Sequence, residues 1–199
     1  RRPSPGGRAR ARQFARAFAG AGWVVTSGLA EGIDTAAHEG ALSAGRTVAV
    51  VGTGLDRAYP PANAALMARI ADEGLVVGEH PPGTPAIASH FPSRNRVVAG
   101  LALGTVVLEA ALRSGALISA RLAGEAGREV FALPGSVDNP MARGCHRLIR
   151  EGATLVESPD QVIEALEPLA ASLAARPEVA RLTPDHVYQI EPTRVGTPV

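Results

Sequence analysis

What most constrains the fold of this chain is a regular alternation between short β-branched apolar runs and alanine-rich segments. The runs cover residues 23–27, 47–51, 75–78, 104–108 and 129–133. Each is nearly continuous in apolar residues, the pattern of a strand covered on both faces rather than one with a wet side. Between them lie segments of helical periodicity at residues 8–21, 34–44, 63–73, 94–103 and 119–126. Gly22, Gly45, Gly74 and Gly127 follow four of these segments, where a left-handed C-cap is expected. Strand and helix in strict alternation imply right-handed crossovers and a parallel sheet with helices on both faces. The expected fold class is α/β, a doubly wound, Rossmann-like domain with a mostly parallel sheet.

The two ends depart from this pattern. The sequence opens Arg1-Arg2-Pro3-Ser4-Pro5 with no strand ahead of the first helix, so the first strand of such a domain is expected to be missing and the 199 residues to be a fragment. Near the other end, residues 158–175 read as an amphipathic helix with Ser158 as N-cap before Pro159. The Rossmann-like domain is therefore expected over residues 1–167. Residues 168–199 are a linker, a tail or the remnant of a C-terminal domain.

Composition removes several chemistries. All 20 basic residues are arginine, which excludes a P-loop lysine, a Schiff-base nucleophile and a lysine base. The single cysteine, Cys145, excludes a disulfide framework and a cysteine-based zinc cluster. No metal site is expected. Seven scattered aromatics leave little for an RRM-like stacking platform. No apolar stretch is long enough to span a bilayer, so no membrane association and a reducing, cytoplasmic setting are expected. The net charge of +1 hides an asymmetry: six arginines precede the first acid, Glu31, whereas residues 151–191 hold eight acids against two arginines. The first run reads either as a solvated helix face or as an anion-facing N-terminus.

Ligands of open α/β sheets bind outside the carboxyl ends of the strands, so the strand-to-helix turns carry the functional signal. In SGLAEGID, Ser27 and Gly28 allow close backbone approach ahead of a helix whose free N–H groups can hold an anion, and Asp34 is placed to cap that helix. His38, one turn on, reads as a packed histidine more readily than as a base. In VVGTGLDRAYP the third glycine of a dinucleotide fingerprint would fall at Arg57, and Pro60-Pro61 prevents a helix at the turn, so no nicotinamide cofactor is expected. In HFPSRNRVVAGL, Arg94, Asn95 and Arg96 at a helix start place guanidinium forks and an amide for phosphate; pairing with acids on a neighbouring loop is the alternative. In LEAALRSGALISARLA, Arg113, Ser114, Gly115 and Ser119 form an anion nest at a helix N-terminus, the most specific such signal in the chain. Cys145 beside His146 does not suit a catalytic dyad, because adjacent residues seldom present their side chains to each other.

These segments, in this order and spacing and together with VFALPG and RGCHRLIREGA, resemble the DprA/Smf family of bacterial DNA-processing proteins over residues 1–166. The resemblance implies an extended Rossmann fold that binds single-stranded DNA without sequence preference, forms a homodimer and loads the RecA recombinase in natural transformation. It implies no enzyme activity. Carried over by position, it places DNA contacts at Arg1, Ser27 and Gly28, at Arg94, Asn95 and Arg96, and at Arg113, Ser114, Gly115 and Ser119. The family often has threonine and asparagine where this chain has Cys145 and His146. Its upstream helical domain and C-terminal winged helix are not evident. The competing reading is an enzyme, a LOG-like nucleoside monophosphate phosphoribohydrolase or another nucleotide-binding enzyme. Its Pro-Gly-Gly signature breaks off here at Pro134-Gly135-Ser136.

Overall fold

A computed structural model describes residues 3–176. Its elements run α1 (Pro5–Gly20), β1 (Val25–Ser27), α2 (Ile33–Leu42), β2 (Thr47–Gly54), a 3-10 turn (Pro61–Asn63), α3 (Ala64–Glu73), β3 (Leu75–His80), α4 (His90–Leu101), β4 (Gly104–Val107), α5 (Gly115–Glu125), β5 (Glu129–Ala132), α6 (Arg143–Arg150), β6 (Thr154–Leu155) and α7 (Pro159–Ala174). The alternation read from the sequence is therefore present, and the fold is α/β and Rossmann-like.

All strand pairs are parallel, but they form two hydrogen-bonded halves, β1-β2-β3 and β4-β5-β6. Strand order runs outward from β1 on one side and outward from β4 on the other. The order thus reverses between β1 and β4, which makes that place the topological switch point of the fold. Among the described residues neither of these two edges pairs with a further strand. Both line one crevice, residues 23–27 from one side and residues 103–109 from the other.

Each half has its own core. Leu29, Leu42, Ala49, Val51, Met67 and Ile70 fill the space between β2, α2 and α3. Val107, Ala110, Ala120, Ala132, Cys145 and Leu148 do the same for β4, β5, α5 and α6. A third cluster, Phe131, Val156, Val162 and Leu166, seats α7 on the second half and reaches Phe18 of α1 and Trp23. Pro168 lies within α7, which runs unbroken through the expected domain end at residue 167.

Some local expectations change. Burial on both faces holds along β2 except at Val48, whereas β3 is an outer strand and begins with Leu75 53% exposed. Of the four glycines expected as left-handed caps, Gly22 and Gly127 have φ of +85° and +66°. Gly74 has another reason: a Cβ there would run into the Thr47 carbonyl, so glycine lets the end of α3 pack against β2. β6 is too short and too exposed to leave a pattern in the sequence. Helices α4 and α5 each begin four residues earlier than the apolar periodicity suggested, at His90 and Gly115. Pro92 is tolerated in α4 because the first-turn N–H it lacks would have no helical partner.

Candidate functional site

The crevice at the switch point has a volume of about 810 Å³. Ser27, Arg94, Asn95, Arg113, Ser114, Gly115 and Ser119 all line it, although they come from three segments spread over 93 residues of sequence. Apolar residues of the facing strands and of α1 and α7, among them Phe14, Val25, Val106 and Leu166, form its deeper wall.

The α5 side is built as an anion nest. Ser114 has extended backbone and its hydroxyl accepts from the Ala116 N–H at 3.3 Å, as an N-cap does. The positive end of the α5 dipole therefore opens on the crevice, with no acidic residue in its first turn to offset it. Arg113, exposed immediately before the cap, is among the residues lining the opening. Ser119 lies in the second turn of α5, half-buried, rather than at the helix start.

Helix α1 also points its N-terminus at the crevice, but a carboxylate from the chain itself occupies it. Glu109 accepts from the Ser4 N–H at 3.0 Å and from the Ser4 hydroxyl, while the Ser4 hydroxyl caps Gly7 N–H at 2.9 Å. The exposed arginines of α1 lie along its solvent face, and Arg12 pairs there with Glu39. Glu31 and Asp34 also line the crevice, so its mouth carries both signs of charge.

The β1 side is held from within. Arg94 is only 6% exposed, and its Nη1 donates to the Gly28 carbonyl at 2.7 Å and to the Val50 carbonyl. It braces the turn instead of extending into solvent. Asp34 is not the N-cap of α2, a place taken by Gly32; its carboxylate accepts from Ala30 N–H at 3.1 Å. Asn63 donates to the Leu29 carbonyl at 2.8 Å. Its role was not read from the sequence, where the only sign is a lone amide after Pro60-Pro61-Ala62. Arg96 points away from the crevice and pairs with Glu79 at the surface, the pairing the sequence left open as the alternative to phosphate. Arg1 lies outside the described residues.

His38 is fully buried, as a packed histidine should be. The Thr47 hydroxyl donates to the Val25 carbonyl at 2.6 Å, so it accepts from His38 Nδ1–H at 2.8 Å. That leaves Nε2 as a buried acceptor without a partner. Desolvation is the main cause that lowers the His38 pKa to about 4, with Asp34 opposing and Arg94 adding to it. Cys145 is buried, with its Sγ 3.5 Å from the Val107 carbonyl, and burial pushes its pKa up to about 11. A thiol so held is protonated at neutral pH and is no nucleophile. His146 turns away from it and donates Nε2–H to the Gly135 carbonyl at 2.9 Å, closing the loop before α6. The Gly52-Thr53-Gly54 segment completes strand β2 instead of forming a strand-to-helix turn, which removes the dinucleotide reading on geometry as well. No group of three or more metal-binding side chains gathers among the described residues.

The crevice at the switch point thus sets an open helix N-terminus and Arg113 beside Glu31, Asp34 and Glu109, and comparison with known proteins gives the chain a lineage. The family model of DNA recombination-mediator protein A matches residues 1–167. The chain belongs to this family. The DNA processing protein DprA of Streptococcus pneumoniae is 52% identical over 145 residues, which cover 72% of this chain and 51% of that protein. Its crystal structure superposes with a TM-score of 0.76 at 45% identity, covering 81% of this chain and 57% of the other. DNA processing protein A of Helicobacter pylori, a structure described for its single-stranded DNA binding mode, superposes with a TM-score of 0.77 at 32% identity, covering 84% and 76%. The present chain thus spans about half the length of the curated DprA relative. Among its described residues no helix is long and apolar enough to cross a membrane.

Proposed function

We propose that this chain binds single-stranded DNA without sequence preference, at the mouth of the crevice outside the carboxyl ends of β1 and β4. The observation that carries the reading is the open N-terminus of α5, capped by Ser114 and flanked by Arg113, at the point where strand order reverses. Phosphate needs donors and positive potential without base-specific geometry, and a helix N-terminus with a guanidinium supplies both. Ser27, Asn95, Gly115 and Ser119 add polar atoms around the same crevice. Arg1, Gly28, Arg94 and Arg96 remain part of the proposed set with different parts to play. Gly28 and Arg94 shape the turn, Arg96 is held by Glu79, and Arg1 lies beyond the described residues.

Membership of the family and the single-stranded DNA binding mode described for the Helicobacter relative support this reading. On the same grounds the chain is proposed to act in DNA processing during natural transformation, in the cytoplasm and as a homodimer, protecting incoming strands and loading a RecA recombinase, without catalytic activity of its own.

A titration of fluorescent oligo-dT at several salt concentrations, with a duplex of equal length beside it, tests the proposal. Tighter binding to the single strand is expected, with log affinity falling linearly in log salt. Equal affinity for both would overturn the single-strand preference. Release of adenine from AMP by the protein would move the assignment to a nucleotide hydrolase.

A further inference from the structure

Arg94 differs from the other arginines of the chain in where its charge sits. At 6% exposure it is the sole arginine among the buried residues described, and none of the ion pairs among those residues includes it. Its bonds go to the main-chain carbonyls of Gly28, just past the end of β1, and of Val50, within β2, and its Nε has no partner. Asp34, the acid that acts on it electrostatically, spends a carboxylate oxygen on the Ala30 N–H.

The turn above it is fixed at successive residues. Arg94 holds the Gly28 carbonyl, Asn63 holds that of Leu29, and Thr35 donates its hydroxyl to that of Ala30 at 2.9 Å. Leu29 is fully buried in a left-handed conformation, φ +59°, which a leucine adopts only when its surroundings compel it. Gly28 has a steric reason to be glycine: a Cβ there would lie 2.7 Å from both terminal nitrogens of Arg94. The guanidinium ends a flexible side chain, but two carbonyl bonds and burial pin it.

We infer that Arg94 is a positioning residue, which sets the Ser27-Gly28 turn from beneath and charges the crevice from inside without gripping a phosphate. Arginine remains protonated at neutral pH even when buried. A guanidinium that lines the crevice with no carboxylate bonded to it leaves its field directed at whatever enters. The inference deepens the DNA-binding reading and rests on it.

The test compares Arg94→Met, Arg94→Lys and Gly28→Ala with the unaltered chain and with Arg113→Ala, by oligo-dT titration across salt and by melting temperature. Arg94→Met is expected to weaken binding about tenfold, with the slope of log affinity against log salt unchanged, because no phosphate contact is lost. Arg113→Ala is expected to lower that slope by about 0.7. Arg94→Lys keeps the charge and should recover most of the affinity. Gly28→Ala removes no charge, so it remains informative if Arg94→Met does not fold: it should weaken binding by displacing the guanidinium, again at constant slope. A slope that falls by about 0.7 in Arg94→Met would make Arg94 a direct contact and overturn the inference. So would full affinity in Arg94→Met or Gly28→Ala, or equal losses in the Met and Lys variants. If the unaltered chain binds no oligo-dT at any salt, the DNA reading itself falls. The strut is then judged by melting alone: Gly28→Ala must lower the melting temperature of the unaltered chain and not lower that of Arg94→Lys further.

Discussion

The two walls of the crevice solve one problem in opposite ways. On the β1 side the charged and polar groups lie inside: Arg94, His38 and Asn63 are buried, and their partners are backbone carbonyls or a threonine hydroxyl. On the β4 side the interior is apolar, with Ala110, Ala120 and Cys145 beneath; Glu109 is spent on the end of α1, and the positive charge is outside on exposed Arg113. A buried polar group is costly unless satisfied, so it fixes the backbone around it. An exposed guanidinium fixes little and keeps its donors for a ligand. The first wall is shaped by its polar groups, and the second presents them.

That contrast is open to direct tests, and the largest effect belongs to the buried side. His38 has a folded pKa of about 4 against an ordinary 6.5, so the unfolded chain binds more protons between these values. Its contribution is complete above about pH 6.5 and is lost as pH falls toward 4, by a total of about 3 kcal/mol. Urea unfolding at pH 7, 6, 5 and 4.5 should show this decline, and His38→Gln should flatten it. A variant that declines as steeply as the unaltered chain would remove His38 as the cause.

The next effect belongs to the exposed side. Arg113→Ala should weaken oligo-dT binding about tenfold, or about 1.4 kcal/mol, while the melting temperature stays within a degree or two. A large fall in stability would mean that Arg113 is structural after all and that the two walls are alike. Ser114→Ala removes the α5 cap and should cost about 1 kcal/mol of stability. Stability equal to that of the unaltered chain in a denaturant titration would show that the cap bond to Ala116 contributes nothing.

The smallest effect concerns the two helix ends, α1 and α5. Glu109→Gln withdraws the negative charge from the α1 N-terminus and should cost about 0.7 kcal/mol, the scale of a charge at a helix dipole. It should also raise DNA affinity about twofold, because a carboxylate leaves the crevice. Weaker binding in this variant would mean that Glu109 orders the site more than it repels the strand.

Much of this was legible in the chain itself. The strand-helix alternation located the five longer strands, because a parallel strand covered on both faces must be apolar almost throughout. Arg113-Ser114-Gly115 marked a turn close to a helix start, although the helix begins at Gly115 itself, four residues before the apolar periodicity sets in. Arg94 and Arg96 illustrate the limit. Two arginines flank one asparagine, yet one is buried against carbonyls and the other pairs with Glu79 at the surface. A helix turns 100° per residue, so neighbours two positions apart face different surroundings, and only packing says which face looks inward.

By itself, then, the sequence determined the class of fold and the exclusion of lysine and dinucleotide chemistry. Periodicity, turn residues and composition are local, and they fix local outcomes. Tertiary structure alone decided that three separate segments meet at one crevice, that Glu109 fills the end of α1 while the end of α5 carries no carboxylate, and that Arg94 is buried against main-chain carbonyls. Those outcomes depend on contacts between residues far apart in the chain: Ser4 with Glu109, and Gly28 with Arg94. No local pattern encodes which distant group will take up a buried donor or acceptor; that is settled by the packing that brings the elements together.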